Sequence, residues 1–260
     1  MRPPRLQLPA LDAALRRARG WGASCAGAVE DLVFPLECLI CGNAGSGGPW
    51  CEACRAELLG AVSRACGRCA LPLGPFESAE RGCSWCRGRS LGFDGAVALG
   101  PYQGPLRHLC LLLKRRANGW IARWLADLLV AARGEALGPL AGAKVVPVPL
   151  HWRRRLGRGY DQADALAGRL ARRLRLSPCR ALQRLRATTT LARLGRAERL
   201  EVMRDAFGVR GRIPLSGETV LLVDDILTTG ATAGAAARAL KKAGAARVVV
   251  AVIGRAEGRV

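Results

Sequence analysis

The segment that decides the fold is VLLVDDILTTGAT, residues 220–232. Its apolar start, with Thr219 before it, predicts a buried strand, and the small residues over 231–243 predict a helix that ends before Gly244. A β-branched run over 247–253 predicts a further strand. This order of strand, loop, helix and strand is typical of a parallel sheet covered on both faces, which binds ligands at the carboxyl ends of its strands.

The loop between this strand and this helix has the ingredients of a phosphate cradle. Gly230 permits a close approach of the backbone, and the free N–H groups at the helix start near Ala231 point into the loop. The hydroxyls of Thr228, Thr229 and Thr232 can donate hydrogen bonds to phosphate oxygens. Helix capping alone would need only one Thr or Asp, so we interpret the loop as a site for a sugar 5′-phosphate.

Two adjacent acids, Asp224 and Asp225, stand between the strand and the threonines. They would repel a phosphate, so their expected partners are the hydroxyls of a ribose, bound directly or through Mg²⁺. We therefore take Asp224 and Asp225 as the candidate catalytic residues.

Four C-x-x-C pairs lie within one short segment near the N-terminus. Two residues between cysteines form a tight knuckle that directs both thiolates at one tetrahedral ion, and Gly42 and Gly67 stand where such knuckles turn. Eight thiolates with no open position predict two structural zinc sites. Disulfides or a redox pair are disfavoured by a reducing cytosol and by the fourfold repeat. The predicted ligands are Cys38, Cys41, Cys51, Cys54, Cys66, Cys69, Cys83 and Cys86.

The pairing of the four knuckles stays open at this stage. Pairing in chain order, the first two knuckles and then the last two, is the simplest arrangement, and a crossed one fits the spacing equally. Cys25, Cys110 and Cys179 stand alone and are interpreted as ordinary cysteines.

The chain between the cysteines and the phosphate loop alternates strand and helix patterns. Strands are predicted over 96–99 and 144–149, and helices over 106–116, 120–132 and 162–175. The formal charge of +21, nearly all from arginine, favours phosphate-bearing partners, although a GC-rich genome explains part of it. No stretch reaches the roughly 18 apolar residues of a membrane span, so we expect a cytoplasmic protein.

The string of an apolar strand, two acids and T-T-G-x-T resembles the ribose-phosphate signature of type I phosphoribosyltransferases. VVPVPL at 145–150 and RGYDQ at 158–162 resemble segments of the ComF competence family, as does the R-x-T…L…R…A-F run over 186–207. Phe34-Pro35 and the cysteines are similar to the double zinc ribbon of that family. The resemblance covers about residues 34–254.

The resemblance implies an α/β fold, a type I phosphoribosyltransferase-like parallel sheet flanked by helices, with a small N-terminal double zinc ribbon. We expect an amphipathic extension over 1–33, the zinc ribbon over 34–90 and the phosphoribosyltransferase-like domain over 91–260. The expected ligand is 5-phosphoribosyl diphosphate with Mg²⁺. Its diphosphate is expected to face Val148, Pro149, Leu150 and Arg158.

The resemblance also implies a function, an accessory role in the uptake of single-stranded DNA together with other DNA-uptake proteins. A phosphoribosyltransferase of nucleotide salvage, with an acceptor still open, is the alternative, and regulation by the bound ligand without turnover is a third. For DNA binding we expect arginines of the zinc-ribbon segment and of the basic faces around 153–158 and 169–175, with base stacking on exposed Trp50 and Trp85.

Two departures from the family pattern fall in an expected mobile loop over the site. Leu191 replaces the usual Gln, and Val202 replaces the usual Asn. Closure of the loop or contact with an acceptor is therefore expected to differ in this chain.

Overall fold

The computed structural model describes residues 37–43, 48–60, 64–78, 82–115, 118–150, 159–185, 205–211, 213 and 215–256. The chain divides into two compact units, residues 1–55 and 56–260. The described part of the first unit contains the first two cysteine pairs, and the second unit contains the other two pairs together with the sheet. The expected extension over 1–33 lies outside the described residues.

The second unit is built on a parallel sheet. The strands of this unit are β1 (Gly95–Pro101), β2 (Lys144–Pro147), β3 (Ser177–Pro178), β4 (Leu182–Arg184), β5 (Phe207–Val209), β6 (Thr219–Val223), β7 (Ile226–Leu227) and β8 (Arg247–Arg255). The order of strands in the parallel sheet is β1-β8-β6-β2-β3, with β7 paired to β8, and a small antiparallel sheet joins β4 to β5. The two central strands, β6 and β8, are buried at every position after their first because the sheet is covered on both faces.

Five α-helices accompany the strands in the described residues: α1 (Glu52–Gly60), α2 (Gly104–Leu113), α3 (Ile121–Leu137), α4 (Gln162–Leu174) and α5 (Ala231–Lys242). Helix α4 begins after Asp161, whose side chain accepts from the backbone N–H groups of Ala163 and Asp164. It ends at Arg175 in the left-handed conformation. None of the described helices is long and apolar enough to cross a bilayer.

The small residues of α5 have a packing reason. A Cβ added at Gly234 would collide with the carbonyl oxygen of Leu91, so only glycine fits at this point of closest approach. Ala233, Ala235, Ala236 and Ala237 are buried beside it. The helix therefore lies close against residues 91–93, which connect the last cysteine pair to β1.

The predicted α/β fold is confirmed, and several element boundaries are close to those expected. The strand over 219–223 and the helix start at Ala231 match the prediction. The strand expected over 144–149 ends at Pro147, and Val148 adds one further backbone bond to the end of β6. The helix expected over 106–116 begins earlier, at Gly104, where Pro105 occupies the first turn.

Candidate functional site

The two acids lie at the carboxyl edge of the sheet, where their backbone is held by the neighbouring strand β8. The backbone N–H of Asp224 donates to the carbonyl of Ala251 at 3.1 Å. The carbonyl of Asp225 accepts from the N–H groups of Ile253 at 3.0 Å and Gly254 at 3.1 Å. These bonds fix the direction in which β6 ends, and with it the position of both carboxylates.

The charges around the acids suit a cation or a set of hydroxyl donors. Burial and the neighbouring charge of Asp225 hold the pKa of Asp224 well above its ordinary value. One oxygen of Asp224 accepts from the N–H of Asp225 at 2.9 Å. Two carboxylates at one sheet edge are the oxygen ligands that Mg²⁺ prefers, so the residues fit the expected metal.

Lys114 is a further charged residue of this edge that the sequence did not reveal. Its Nζ lies 3.3 Å from Oδ2 of Asp225, and both side chains are largely buried. Lys114 is the C-terminal cap of α2, far from Asp225 in sequence. Only the sheet order, which brings the end of α2 beside the end of β6, could have predicted this pair.

The loop after the acids turns sharply into α5. Gly230 adopts a φ of +79°, in the left-handed region that favours glycine, and its carbonyl accepts the first helical bond from Gly234 at 2.7 Å. The hydroxyl of Thr229 accepts from the N–H of Ala231 at 3.4 Å, and Thr228 is exposed. This arrangement leaves the positive end of the helix dipole at the loop, which is a favourable place for an anion.

The segment expected on the diphosphate side leaves the same edge of the sheet. The N–H of Val148 donates to the carbonyl of Val223 at 2.8 Å, which places residues 148–150 beside the end of β6. The N–H of Leu150 donates to Oδ2 of Asp161 at 3.0 Å. Asp161 therefore braces this segment and caps α4 with the same carboxylate. Arg158, also expected here, lies outside the described residues.

The eight paired cysteines form two groups of four. In each group the four sulfur atoms lie within 4.8 Å of one another. Neighbouring sulfurs around one tetrahedral zinc are about 3.8 Å apart, given Zn–S bonds near 2.3 Å. The Cys41–Cys51 distance of 3.8 Å and the Cys66–Cys86 distance of 3.6 Å agree with this. The groups are Cys38, Cys41, Cys51 and Cys54, then Cys66, Cys69, Cys83 and Cys86, so the pairing left open by the sequence follows chain order.

Backbone N–H groups favour a thiolate at one cysteine of each cluster. Burial raises the pKa of Cys66, but the N–H groups of Cys83, Arg68 and Cys69 outweigh it and lower the pKa to about 7. Burial likewise raises the pKa of Cys38, and backbone N–H groups bring it down to about 6. Burial and the neighbouring sulfurs raise the pKa of Cys54, Cys69 and Cys86, so four thiolates together require a cation. Zinc would supply that charge, and the four sulfurs of each cluster fit it.

The expected exposure of Trp50 is wrong, because only 6% of its surface is exposed. Trp85 is half-buried, and its ring contacts two guanidinium groups, with centroid distances of 4.9 Å to Arg89 and 4.7 Å to Arg255. Phe76, which the sequence did not single out, is fully exposed. Phe76 lies on a turn beside Glu77, whose carboxylate accepts hydrogen bonds from the backbone N–H groups of Gly74 and Ser84.

The arginine face expected over 169–175 is partly neutralised. Arg169 forms a bidentate pair with Asp127, at 2.8 and 2.6 Å, and Arg173 contacts the same carboxylate at 3.2 Å. This face is thus less basic than its sequence indicates. The arginines expected over 153–158 lie outside the described residues, as do Leu191 and Val202.

Comparisons with known proteins agree with both parts of the site. A double zinc ribbon domain matches residues 29–87, and a phosphoribosyl transferase domain matches residues 164–259. The chain therefore combines these two classes of domain.

Curated relatives then define the family. The chain is 32% identical to the DNA utilization protein YhgH of Salmonella typhi, over 84% of this chain and 96% of the relative. It is 31% identical to competence protein F of Haemophilus influenzae, over 74% of this chain and 84% of the relative. It is also 31% identical to the DNA utilization protein YhgH of Escherichia coli K12, over 84% of this chain and 96% of the relative. The chain belongs to the ComF family, that of competence protein F.

Proposed function

We propose that this protein binds 5-phosphoribosyl diphosphate with Mg²⁺ at residues 224–232 and serves in the handling of single-stranded DNA during natural transformation. The observation that carries the ligand is the fixed pair Asp224 and Asp225 followed by the left-handed turn at Gly230 into α5. The names of the relatives, competence protein F and DNA utilization protein, support the role in DNA handling.

In this proposal each part of the sheet edge has one task. Asp224 and Asp225 hold the ribose hydroxyls, and the threonine loop with the start of α5 anchors the 5′-phosphate. Residues 148–150 face the diphosphate. Mg²⁺, when bound, supplies positive charge to that diphosphate. If the ligand turns over, an acceptor displaces pyrophosphate at the anomeric carbon, the C–O bond to the diphosphate breaks, and the diphosphate leaves with its electron pair.

Calorimetry of the full chain with 5-phosphoribosyl diphosphate tests the ligand. We expect binding that requires Mg²⁺ and that weakens at least about tenfold in Asp224→Ala, which removes a ribose or metal contact, and in Thr229→Ala, which removes a phosphate donor. Thr219→Ala, at the opposite end of β6, is the matched control and retains the affinity of the wild type. Equal affinity in all four proteins would place the ligand elsewhere.

Fluorescence anisotropy with labelled oligonucleotides tests the DNA partner. We expect sequence-tolerant binding of single strands, with a log–log salt slope of about −0.7 per phosphate contacted. Replacing Arg153, Arg154 and Arg155 should flatten the slope, and Phe76→Ala should weaken binding without changing the slope, because stacking releases no counterions. Absence of binding near physiological salt, or equal binding of duplex DNA, would contradict this role.

A phosphoribosyltransferase of nucleotide salvage is the alternative. The match of residues 164–259 to a phosphoribosyl transferase domain supports this alternative. Pyrophosphate release measured against a panel of nucleobases separates the functions. Release with one base would support salvage, whereas ligand binding without release would support a regulatory use of the same site.

A further inference from the structure

Arg255, the last residue of β8, is a buried charge, with 1% of its surface exposed. An arginine is rarely buried unless its guanidinium is paired or hydrogen-bonded, because desolvation of the charge is costly. Within the described part of the chain, the hydrogen-bond acceptors of its side chain are backbone carbonyls and not carboxylates. The segments that supply these carbonyls indicate what the residue does.

The guanidinium joins the second cysteine cluster to the phosphate loop. Its Nε donates to the backbone carbonyl of Cys69 at 2.7 Å, and the sulfur of Cys69 belongs to the second cluster. Its Nη1 shares two hydrogens among three carbonyls, those of Leu227 at 3.0 Å, Thr228 at 2.6 Å and Ala256. Because the guanidinium is planar and rigid, these bonds fix the distance between the knuckle at Cys69 and the start of the loop.

A second contact from the same metal cluster holds the guanidinium in place. The ring of Trp85, which lies between the ligands Cys83 and Cys86, packs on the guanidinium with its centroid 4.7 Å from Cζ. Arg255 is thus held by both knuckles of the second cluster. Loss of the metal from this cluster would release both supports.

The bonds to the loop also set the direction of its backbone N–H groups. In a planar trans peptide the carbonyl and the following N–H point in opposite directions. When the carbonyls of Leu227 and Thr228 point at Arg255, the N–H groups of Thr228 and Thr229 point away from it. Arg255 is buried and Thr228 is exposed, so these N–H groups face the side from which an anion can approach. The N–H of Ala256 also holds the carbonyl of Leu227, so the peptide that depends on Arg255 is the one between Thr228 and Thr229. Rotation of that peptide would present a carbonyl oxygen to the phosphate and repel it.

We propose that Arg255 is a positioning residue that couples the metal site formed by Cys66, Cys69, Cys83 and Cys86 to binding of the sugar 5′-phosphate. This inference rests on the proposed phosphoribosyl site. Because coupling between two sites is reciprocal, a bound 5′-phosphate must also tighten retention of the metal in this cluster.

Ribose 5-phosphate is the probe, since it carries the phosphate without the diphosphate. We expect Arg255→Met to bind it at least about tenfold more weakly than wild type, because the carbonyl of Thr228 loses its donor, whereas that of Leu227 keeps the N–H of Ala256. Arg255→Lys keeps the charge but lacks the planar fork, and should restore part of the affinity. Arg247→Met, an exposed arginine on the same strand, is the control and binds as wild type does.

The affinity for zinc, measured at equilibrium against a competing chelator, is the readout that a merely structural role would not change. In wild type and in Arg247→Met, ribose 5-phosphate should tighten the binding of one of the two zinc ions at least about threefold. In Arg255→Met, the affinity for zinc should be the same with and without the ligand. The wild-type comparison decides the coupling even if Arg255→Met folds poorly.

The outcomes separate this inference from the proposed function. If wild type fails to bind ribose 5-phosphate and 5-phosphoribosyl diphosphate, the phosphoribosyl site itself is wrong. If wild type binds but folded Arg255→Met binds within twofold of it, or if the zinc affinity of wild type is the same with and without the ligand, the coupling is overturned and the site stands.

Discussion

The two cysteine clusters have the same C-x-x-C spacing and the same four-thiolate composition, yet their surroundings differ. In the first cluster Cys41 is exposed and Cys51 is half-buried. In the second cluster all four cysteines are buried, and they belong to the hydrophobic core that also contains Leu91 and Phe93. Identical ligand motifs therefore have different structural tasks, which the packing around them decides.

The backbone of the second cluster is continuous with the sheet. The carbonyl of Gly67, inside a knuckle, accepts from the N–H of Ala96 in β1 at 2.9 Å. Arg255 links the cluster to the phosphate loop from the other side. We infer that the second metal stabilises the sheet domain itself, whereas the first organises a surface ribbon.

The largest expected effect is that of Cys66→Ser. The variant should lose one zinc and lower the free energy of unfolding of the sheet-containing unit by about 4 kcal/mol or more, since the binding energy of a structural zinc is folding energy. Cys110→Ser, a buried cysteine outside both clusters, should cost about 1–3 kcal/mol. Chemical denaturation with zinc analysis measures both. Equal losses would contradict a metal in the core.

A smaller loss is expected from Trp85→Leu. Removing the ring takes away its contacts with Arg89 and Arg255, each worth about 0.5–2 kcal/mol, while both zinc ions stay bound. Trp120→Leu is the control, because Trp120 is 40% exposed. Thermal unfolding of the two variants should give the larger decrease in Tm for Trp85→Leu, and the reverse order would break the link between the second cluster and Arg255.

Cys41→Ser sharpens the contrast between the clusters. It should also lose one zinc, but the free energy of unfolding of residues 56–260 should fall by less than about 1 kcal/mol, as for most substitutions outside a core. Hydrogen exchange of amides in β6 and β8 reports this unit separately. Faster exchange there, comparable to that in Cys66→Ser, would show that the clusters are equivalent.

The smallest effect on stability is expected from Phe76→Ala. Its side chain is fully exposed, so the free energy of unfolding should change by less than about 0.5 kcal/mol. Urea denaturation measures the change. A loss above about 1 kcal/mol would mean that Phe76 packs against other residues and is not free to stack on bases.

The local parts of the fold could be predicted from the sequence. Residues 219–223 and the helix start at Ala231 follow from a continuous apolar run, a glycine and a small-residue helix, all of which are local signals. The exposure of Trp50 was predicted wrongly, because metal knuckles have no periodicity that reveals which face is buried. The sequence also leaves open which knuckles share a metal, because chain-order and crossed pairing fit the spacing equally.

The long-range parts of the site could not be predicted. Arg255 lies 186 residues from its partner Cys69, and Lys114 reaches Asp225 only through the order of the strands. Single arginines and lysines in a chain of formal charge +21 carry no signal that separates them from solvated ones. Their roles follow from sheet topology, which brings distant segments to one edge.

Amide hydrogen exchange with and without Mg²⁺ and 5-phosphoribosyl diphosphate tests the central claim most directly. The account predicts slower exchange over residues 224–232 and at the amides of Val148 and Leu150, with the start of α5 protected and the first cysteine cluster unchanged. Protection confined to other segments, or no change in exchange at saturating ligand, would contradict a phosphoribosyl site at this edge of the sheet.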